Sequence, residues 1–230
     1  MIQTNLNHVE QNILAACEKC GRSRDEITLI AVSKTKPVEM ISEVYNYGIR
    51  EFGENKVQEI TAKSAVLPND INWHMIGHLQ RNKVKQVINK TVLIHSVDSI
   101  RLAEAISKEA VAQNITVSIL LEVNVAGEDT KYGFTLEETP LILKEIAAMP
   151  GLFVRGLMTS APFVDNPEEN RQYFKQLKDL CVDLKAKNID NTSMDFLSMG
   201  MTNDYEVAIE EGATHVRVGT AIFGERYYSL

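Results

Sequence analysis

The segment Thr28–Pro37, with the sequence TLIAVSKTKP, joins a short apolar run to the start of a helical pattern. Apolar and β-branched residues dominate Thr28–Ser33, which predicts a buried strand. Pro37 suits the first turn of a helix, because the N–H group that proline lacks would have no partner there. The segment therefore predicts a strand that passes directly into a helix, the unit from which α/β folds are built.

The same unit recurs along the 230 residues. The apolar runs that predict strands are Thr28–Ser33, Arg50–Gly53, Asn72–Ile76, Val92–Ser96, Val117–Val125, Phe153–Met158, Asp195–Met199 and His215–Val218. The helical patterns between them are Val38–Tyr47, Lys56–Val66, Asn82–Asn89, Ile100–Gln113, Leu136–Ala148, Pro167–Ala186 and Asp204–Glu211. Eight strands alternating with seven helices predict an α/β fold, a (β/α)8 TIM barrel, with a doubly wound open sheet as the alternative. Since no linker or change of composition divides the chain, we expect one domain over residues 1–230.

Composition limits the partners and the location that we expect. The net charge of −7 argues against a broad nucleic-acid surface, and we interpret the basic stretch Arg81–Lys90 as a solvated helix face. No apolar stretch approaches the ~20 residues that are needed to cross a bilayer. The N-terminus lacks the pattern of a signal peptide. We therefore expect a cytoplasmic protein that binds neither nucleic acid nor membrane.

The first twenty residues predict an amphipathic helix rather than a leader. Its apolar side consists of Leu6, Val9, Ile13, Leu14 and Cys17. The chain has three cysteines, Cys17, Cys20 and Cys181, and a cytoplasmic location would keep them reduced. The spacing of Cys17 and Cys20 could indicate a metal or redox site, but no second pair of ligands accompanies it. We interpret these cysteines as packing residues and expect no metal site.

The ends of the predicted strands carry mostly polar residues, although the strands themselves are apolar. These residues are Lys34, Asn55, His78, Asp98, Asn124, Met158, Ser198 and Arg217. In a TIM barrel the carboxyl ends of the strands meet at one face, where binding and catalytic residues collect. The pattern therefore indicates a functional site at this face of the barrel.

Strand parity distinguishes the two lysines of the opening segment. Ile30, Val32 and Lys34 share one side of the strand, and bulky branched residues usually fill a barrel interior. We therefore expect Lys34 to end the inward row with its amine in the barrel mouth, whereas Lys36 lies at the helix start. Arg217 ends the eighth strand, which adjoins the first in a closed barrel. A neighbouring cation and partial burial would lower the pKa of the Lys34 amine, as an imine-forming lysine requires.

A candidate site for an anion lies beside these cations. The stretch Ser198–Asp204, SMGMTND, follows the seventh strand, and Asn203 with Glu206 could cap the next helix. Its first N–H groups, the backbone at Gly200 and the Thr202 hydroxyl would then converge, which is how helix starts bind phosphate. The stretch RVGT adds Gly219 and Thr220 after the eighth strand, and barrel phosphate sites often use the loops after strands seven and eight.

A phosphate site, an imine-forming lysine and an arginine in one barrel mouth suggest pyridoxal 5′-phosphate. Arg217 could only donate a hydrogen bond to the pyridine nitrogen, which would leave the ring a weak electron sink. Such a site suits holding the cofactor or moving protons at an amino-acid α carbon. A different reading discards the cofactor and makes Lys34 a Schiff-base lysine that acts on a sugar phosphate, as in class I aldolases.

At these residues the chain resembles the pyridoxal phosphate homeostasis protein family, whose barrel is related to the N-terminal domain of alanine racemase, fold type III. The resemblance covers nearly the whole chain, through CGRSRDEITLIAVSKTKP, REFGENKVQE, WHMIGHLQRNK, RGLMTS, LSMGMTNDYEVAI and VRVGTAIFGERYYS. It implies that Lys34 carries the cofactor as a Schiff base and that Arg217 faces the ring nitrogen. It also implies that Asn55 and Met158 line the pocket. The phosphate would be held by Ser198, Gly200, Met201, Thr202, Gly219 and Thr220.

The resemblance further implies a binding protein rather than an enzyme. Racemases with this barrel have a second β-domain and take a second base, a tyrosine, from the partner subunit. This sequence ends at Leu230, soon after the eighth strand, so we expect neither that domain nor strong catalysis. We interpret Tyr227 and Tyr228 as packing residues and Lys131 as a solvated loop lysine. The prediction is a cytoplasmic monomer that buffers pyridoxal phosphate or delivers it to apo-enzymes, with an amino-acid racemase or decarboxylase as the alternative.

Overall fold

Eight parallel strands close into a barrel in the computed structural model, which describes residues 1–128 and 130–225. The strands are β1 (Thr28–Val32), β2 (Glu51–Glu54), β3 (Asn72–Met75), β4 (Thr91–Val97), β5 (Val117–Glu122), β6 (Leu152–Met158), β7 (Thr192–Met201) and β8 (His215–Val218). Strands that are consecutive in the chain are adjacent in the barrel. β8 pairs with β1, where Arg217 lies opposite Ile30. The predicted TIM barrel is confirmed. The open sheet is excluded, because it would leave two edge strands unpaired.

Helices surround the barrel in the predicted order. They are α1 (Ile2–Cys20), α2 (Val38–Tyr47), α3 (Val57–Ser64), α4 (Val84–Val87), α5 (Ile100–Gln113), α6 (Thr139–Ala147), α7 (Arg171–Lys185), α8 (Tyr205–Glu210) and α9 (Thr220–Phe223). Single turns of 3₁₀ helix lie at Arg24–Glu26, Arg81–Lys83 and Pro167–Asn170. α1 precedes the first strand and packs against α2, α8 and α9. It therefore covers the side of the barrel that carries the first helix after β1 and the last two helices.

Two elements differ from their prediction in ways that matter for the site and the packing. β7 continues to Met201, because its last residues pair with β8, where Met201 lies opposite Arg217. β7 therefore extends two residues past its predicted end at Met199, and the loop begins at Thr202. In α1, Leu14 is 50% exposed, although Leu6 and Ile13 are fully buried. Leu14 falls outside the arc of the helix that faces the barrel.

The residues of β1 alternate between two environments, as the parity of the strand predicts. Leu29 and Ala31 belong to the large apolar cluster between the barrel and its helices. Ile30 is fully buried but lies outside that cluster. A second, smaller cluster of Leu93, Leu120 and Met158 comes from three successive strands and lies in the lumen. The barrel thus has an apolar outside and a mixed interior, and β1 runs between them toward Lys34.

The remaining compositional predictions concern spans, thiols and the basic stretch. Within the part of the chain that the structure describes, no helix is long and apolar enough to cross a membrane. All three cysteines are free thiols, and Cys17 and Cys181 are buried, which confirms their packing role. Along Arg81–Lys90 the cations are exposed or half-buried, whereas Val84, Val87 and Ile88 are buried. This stretch is the solvated face that was predicted.

Candidate functional site

A cavity of about 540 Å³ opens at the carboxyl ends of the strands. Its lining residues are Val32, Lys34, Lys36, Asn55, Ile76, Ser160, Pro162, Phe163, Val164, Met201, Thr202, Asn203, Asp204, Arg217, Gly219 and Thr220. Seven of the ten predicted site residues thus come together here. The other three, Met158, Ser198 and Gly200, are buried in the barrel around it. The predicted face of the barrel does carry a concave site.

Lys34 reaches this cavity from the end of β1, on the side of the strand that also presents Val32. The residue after it, Thr35, has φ of +64°, a left-handed conformation that β-branched residues rarely adopt. The Thr35 N–H donates to a carboxylate oxygen of Glu59 at 2.7 Å, which holds this turn in place. The strained turn ends the strand and leaves Lys34 at the mouth.

A buried polar cluster fixes the backbone just before Lys34. The Lys63 ammonium donates to Glu54 Oε1 at 2.7 Å, to Glu59 Oε2 at 2.8 Å and to the Ser33 carbonyl at 2.9 Å. The Ser33 hydroxyl also donates to Glu54 Oε1, at 2.6 Å. Burial raises the pKa of Glu54 to about 7, against the opposing effect of Lys63. Sequence reasoning missed this cluster, although Glu54 directly precedes Asn55 and Lys63 lies four residues after Glu59.

Lys36 also lines the cavity, but its ammonium is engaged elsewhere. It donates to the carbonyl of Gly224 at 3.0 Å and to those of Glu225 and Phe223 at 3.3 and 3.4 Å. These carbonyls follow or end α9, where a cation is favourable because the last carbonyls of a helix have no intrahelical partner. Lys36 therefore ties the β1–α2 loop to the end of α9.

Arg217 lies at the bottom of the cavity and is 4% exposed. Its Nη1 donates to the Ser198 hydroxyl at 2.6 Å, and its Nη2 donates to the Thr159 carbonyl at 2.9 Å. Burial lowers the pKa of Arg217 to about 10, with Glu122 acting in the opposite direction. The guanidinium therefore remains protonated near neutral pH. Burial also raises the pKa of Glu122 to about 7, assisted by the negative charge of Asp98.

The loop after β7 is built differently from the prediction. Asp204, not Asn203, is the N-cap of α8, and Asn203 instead donates to the Val164 carbonyl at 2.8 Å. Asp204 is buried, and its carboxylate accepts hydrogen bonds from the Met201 N–H at 2.7 Å and from the Asn170 side chain at 2.8 Å. The predicted capping by Asn203 is thus wrong. The loop is held instead by the Asp204 carboxylate, which accepts a hydrogen bond from the N–H of Met201, the last residue of β7.

Thr202 connects the two loops that were expected to bind phosphate. Its hydroxyl accepts from the Gly219 N–H at 3.1 Å, across the gap between the ends of β7 and β8. Thr220 begins α9, so its N–H and that of Ala221 are among the first N–H groups of a helix and have no intrahelical acceptor. Thr202, Thr220 and the start of α9 therefore lie at one corner of the cavity.

Gly200 and Met158 have structural roles that the sequence did not reveal. Gly200 has φ of +89°, and a Cβ atom there would lie 2.5 Å from the Cβ of Ala208 and 2.9 Å from the Cα of Tyr205. The glycine is therefore required where β7 passes α8. Met158 is 1% exposed and packs with Leu93 and Leu120 in the lumen. A cofactor contact for either residue stays a prediction.

The other polar strand ends lie beside the cavity rather than in it. His78 Nδ1 is 2.7 Å from Asp98 Oδ2, and the His78 ring stacks on Tyr132 with centroids 4.2 Å apart. The Asn124 side chain bonds to the backbone of Glu128, in the β5–α6 loop. In the same loop the half-buried Lys131 pairs with the Glu128 carboxylate at 2.8 Å. The Lys131 ammonium also donates to the carbonyl of Ser160, which lines the cavity, at 3.2 Å, so both its interpretation as a solvated loop lysine and a second cofactor contact stay predictions.

Comparison with known proteins identifies the family. The family model described as alanine racemase, N-terminal domain, matches residues 4–227. The pyridoxal phosphate homeostasis protein of Aquifex aeolicus is 46% identical to the chain, with 97% of each chain covered. The chain belongs to the pyridoxal phosphate homeostasis family of alanine racemase-like barrels. The homologue from Pseudomonas aeruginosa has the same name and is 38% identical over 99% of this chain and 96% of its own.

Solved structures agree with this family assignment. PipY of Synechococcus elongatus PCC7942, solved with pyridoxal phosphate bound, is 32% identical and superposes with a TM-score of 0.84 over 97% of this chain and 100% of its own. An alanine racemase of Clostridium difficile 630 superposes with a TM-score of 0.73 at 14% identity, over 99% of this chain and 57% of its own. At that identity the racemase shares the fold alone. The resemblance recognised in the sequence is confirmed.

Proposed function

We propose that this chain binds pyridoxal 5′-phosphate and serves in the homeostasis of that cofactor inside the cell. The observation that carries the proposal is the convergence of Lys34 and Arg217 on one cavity that also presents the Thr202 and Thr220 side chains. The names of the relatives and the cofactor bound to PipY support it. The proposal includes a cytoplasmic monomer that supplies cofactor to apo-enzymes and binds neither nucleic acid nor membrane.

The donor groups of the cavity fit the chemistry of the cofactor, which has an aldehyde, a phosphate and a pyridine nitrogen. Lysine forms Schiff bases with carbonyl groups, so Lys34 would join the aldehyde carbon with loss of water. Among the residues that the structure describes, Lys34, Lys36 and Arg217 line the cavity together with one carboxylate, Asp204, which accepts internal hydrogen bonds. The excess of positive charge suits a phosphate-bearing ligand.

Each predicted residue has a place in this proposal. Thr202, Thr220, Gly219 and Met201 would form the phosphate corner with the start of α9, while Asn55 would line the ring. Arg217 would face the ring nitrogen. For Ser198 we propose a different role: its hydroxyl is buried and accepts from Arg217, so Ser198 would support Arg217 rather than touch phosphate. Met158 and Gly200 would shape the surrounding wall.

We further propose that the chain holds the cofactor with little turnover of amino acids. When bound, pyridoxal phosphate supplies an electron sink for bonds at an amino-acid α carbon. Arg217 has a pKa of about 10 and donates only, so it would leave the ring nitrogen unprotonated and the sink weak. An amino-acid racemase or decarboxylase remains the alternative function, and the racemase-like barrel is shared with enzymes.

Borohydride reduction followed by peptide mass spectrometry tests the proposal. Protein loaded with pyridoxal phosphate should absorb visible light and, after reduction, carry a pyridoxyl phosphate group on Lys34. Absence of any adduct, or an adduct on another lysine, would contradict it. Reductive trapping of dihydroxyacetone phosphate on Lys34, without any pyridoxyl adduct, would favour the sugar-phosphate alternative.

A further inference from the structure

A hydrogen-bond chain of four side-chain contacts crosses the lumen of the barrel, from the end where the strands begin to Arg217. It begins at Glu51 Oε2, 2.6 Å from His74 Nε2, and continues from His74 Nδ1 to His95 Nε2 at 2.9 Å. His95 Nδ1 lies 2.8 Å from Ser198 Oγ, which accepts from Arg217 Nη1 at 2.6 Å. The five side chains come from β2, β3, β4, β7 and β8, so the chain spans the interior of the barrel.

With both histidine rings neutral, one direction satisfies all four contacts. Arginine can only donate and a carboxylate can only accept, so the two ends fix the middle. His74 donates from Nε2 to Glu51 and accepts at Nδ1 from His95. His95 then donates from Nε2 and accepts at Nδ1 from the Ser198 hydroxyl, whose oxygen accepts from Arg217. Both rings are therefore protonated on Nε2.

The surroundings of His95 favour a neutral ring. His74 and His95 are 3% and 0% exposed, and a third histidine, His215, packs within 6.3 Å of both ring centroids. Burial, with His74, His215 and Arg217 nearby, holds the pKa of His95 well below its usual value. Burial and His74 lower the pKa of His215 to about 3. A second cation in this lumen would face the buried Arg217 guanidinium. Glu51, whose side chain is 28% exposed, is the end of the chain that solvent reaches.

These residues do not form a metal site. Across residues 1–128 and 130–225, no group of three or more His, Cys, Asp and Glu side chains is placed to hold a metal ion. The alternation of donors and acceptors explains the histidines instead. Each ring donates from Nε2 and accepts at Nδ1, so the two rings link the Glu51 carboxylate to the Arg217 guanidinium through hydrogen bonds that share one direction. Hydrogen bonds in series polarise one another.

We propose that Glu51 is a remote positioning residue for the cofactor site, acting through His74, His95 and Ser198 to orient the Arg217 guanidinium. The proposal rests on the proposed function, in which Arg217 faces the cofactor ring. The Ser198 hydroxyl is committed to His95, so its lone pairs are turned to Arg217, and the Thr159 carbonyl holds the other guanidinium nitrogen. Two acceptors, one on β7 and one directly after β6, then set the plane of the guanidinium.

Nitrogen-15 NMR of the histidine rings tests the relay without any cofactor. In the wild-type protein we expect both His74 and His95 to carry their proton on Nε2. Glu51→Gln removes the obligate acceptor, since an amide can either accept from or donate to His74. It should therefore change the tautomer populations of both rings. Glu51→Asp, which keeps a carboxylate, should retain Nε2 protonation, and Asp195→Asn, in the floor half of β7, should leave both rings unchanged.

Absorbance and binding of the pyridoxal phosphate chromophore provide the second readout. Glu51→Gln should shift the visible band and weaken cofactor binding about threefold to tenfold, as expected for weakening one hydrogen bond. Glu51→Asp should restore much of both. Protonation of either wild-type ring on Nδ1 would overturn the proposal even if the Gln variant fails to fold. An unchanged band and affinity in folded Glu51→Gln protein would overturn it as well. Failure of wild-type protein to bind pyridoxal phosphate would instead refute the proposed function and leave the tautomer result standing.

Discussion

The Lys63 ammonium lies 2.9 Å from the carbonyl of Ser33, the residue immediately before Lys34. Lys63 is 7% exposed and also contacts Glu54 and Glu59. Since the Glu59 carboxylate accepts from the Thr35 N–H, one cluster holds the backbone on both sides of Lys34. The position of the lysine that we propose as the cofactor anchor thus depends on side chains of α3 and β2, outside its own strand.

Lys63→Met should therefore loosen the Lys34 turn and destabilise the protein. Removing one partner of a buried ion pair leaves the other uncompensated and costs about 3–5 kcal/mol of unfolding free energy. We also expect slower formation of the reducible pyridoxal phosphate adduct in the folded variant. Urea denaturation and stopped-flow absorbance measure the two effects. Lys56→Met, an exposed lysine just before α3, is the control and should change neither.

Substitution of the two lysines of the opening segment should separate their roles. Lys34→Ala should abolish the coloured, reducible adduct, because no other amine ends the inward row of β1. Lys36→Ala should retain most of it, since that ammonium bonds to the carbonyls at the end of α9. Mass spectrometry after borohydride reduction locates the adduct. Recovery of pyridoxyl phosphate on Lys36 in the wild-type protein would contradict the assignment.

Thr202 offers a test of the phosphate corner. Thr202→Ala should weaken binding of pyridoxal phosphate by about 1–3 kcal/mol, the usual cost of removing a donor that faces a charge. Thr202→Ser keeps the hydroxyl and serves as the control. Gly200→Val should also weaken binding, mainly by distorting the loop, because a side chain there would clash with Ala208 and Tyr205. Equal affinities for pyridoxal and its phosphate would show that this corner does not bind phosphate.

The pKa of Glu122 makes a prediction about the pH dependence of stability. Burial raises this pKa from 4.5 to about 7 in the folded protein. The folded state then binds the proton more tightly than the unfolded state. The contribution of Glu122 to stability is therefore complete below pH 4.5 and is lost as the pH rises from 4.5 to about 7.

Glu122→Gln should remove that loss. As the pH rises from 4.5 to 8, the difference in unfolding free energy between the variant and the wild type should change by on the order of 3 kcal/mol in favour of the variant. Chemical denaturation across this range measures it. Glu104→Gln, an exposed position on α5, provides the matched control. A pH-independent difference between Glu122→Gln and wild type would contradict the raised pKa.

Turnover of amino acids should be feeble or absent. The arginine proposed to face the ring nitrogen would leave the cofactor a weak electron sink for bonds at the amino-acid α carbon. Holo-protein incubated with single-enantiomer alanine and other amino acids should neither racemise them nor release carbon dioxide at an appreciable rate. Chiral chromatography and carbon dioxide detection follow the two reactions. Turnover above about one per second, an ordinary enzyme rate, would favour the enzyme alternative.

Tyr227 and Tyr228 lie outside the residues that the structure describes, so their interpretation as packing residues stays a prediction. The extent of the domain, the monomeric state and the role of each cofactor-binding residue likewise stay predictions. Light scattering of the purified protein would measure the oligomeric state directly.

The sequence by itself determined the alternation of eight strands with helices, because strand and helix patterns are local, and it favoured a barrel over an open sheet. It also indicated Lys34, since the period of two along β1 places that lysine in the row of Ile30 and Val32. His74 could have been placed inward by the same parity, since Trp73 and Met75 on either side of it face the helices.

Tertiary structure alone decided what those side chains meet. Ser198, expected at the phosphate, is 103 residues from His95 in sequence, yet the two share a hydrogen bond in the lumen. Gly200 and Met201 were not predicted as strand, and the pairing of β7 with β8 extends the strand to Met201. Periodicity reports which side of an element a residue occupies. Closure of the barrel decides which distant residue lies opposite, because that depends on the register of eight strands at once.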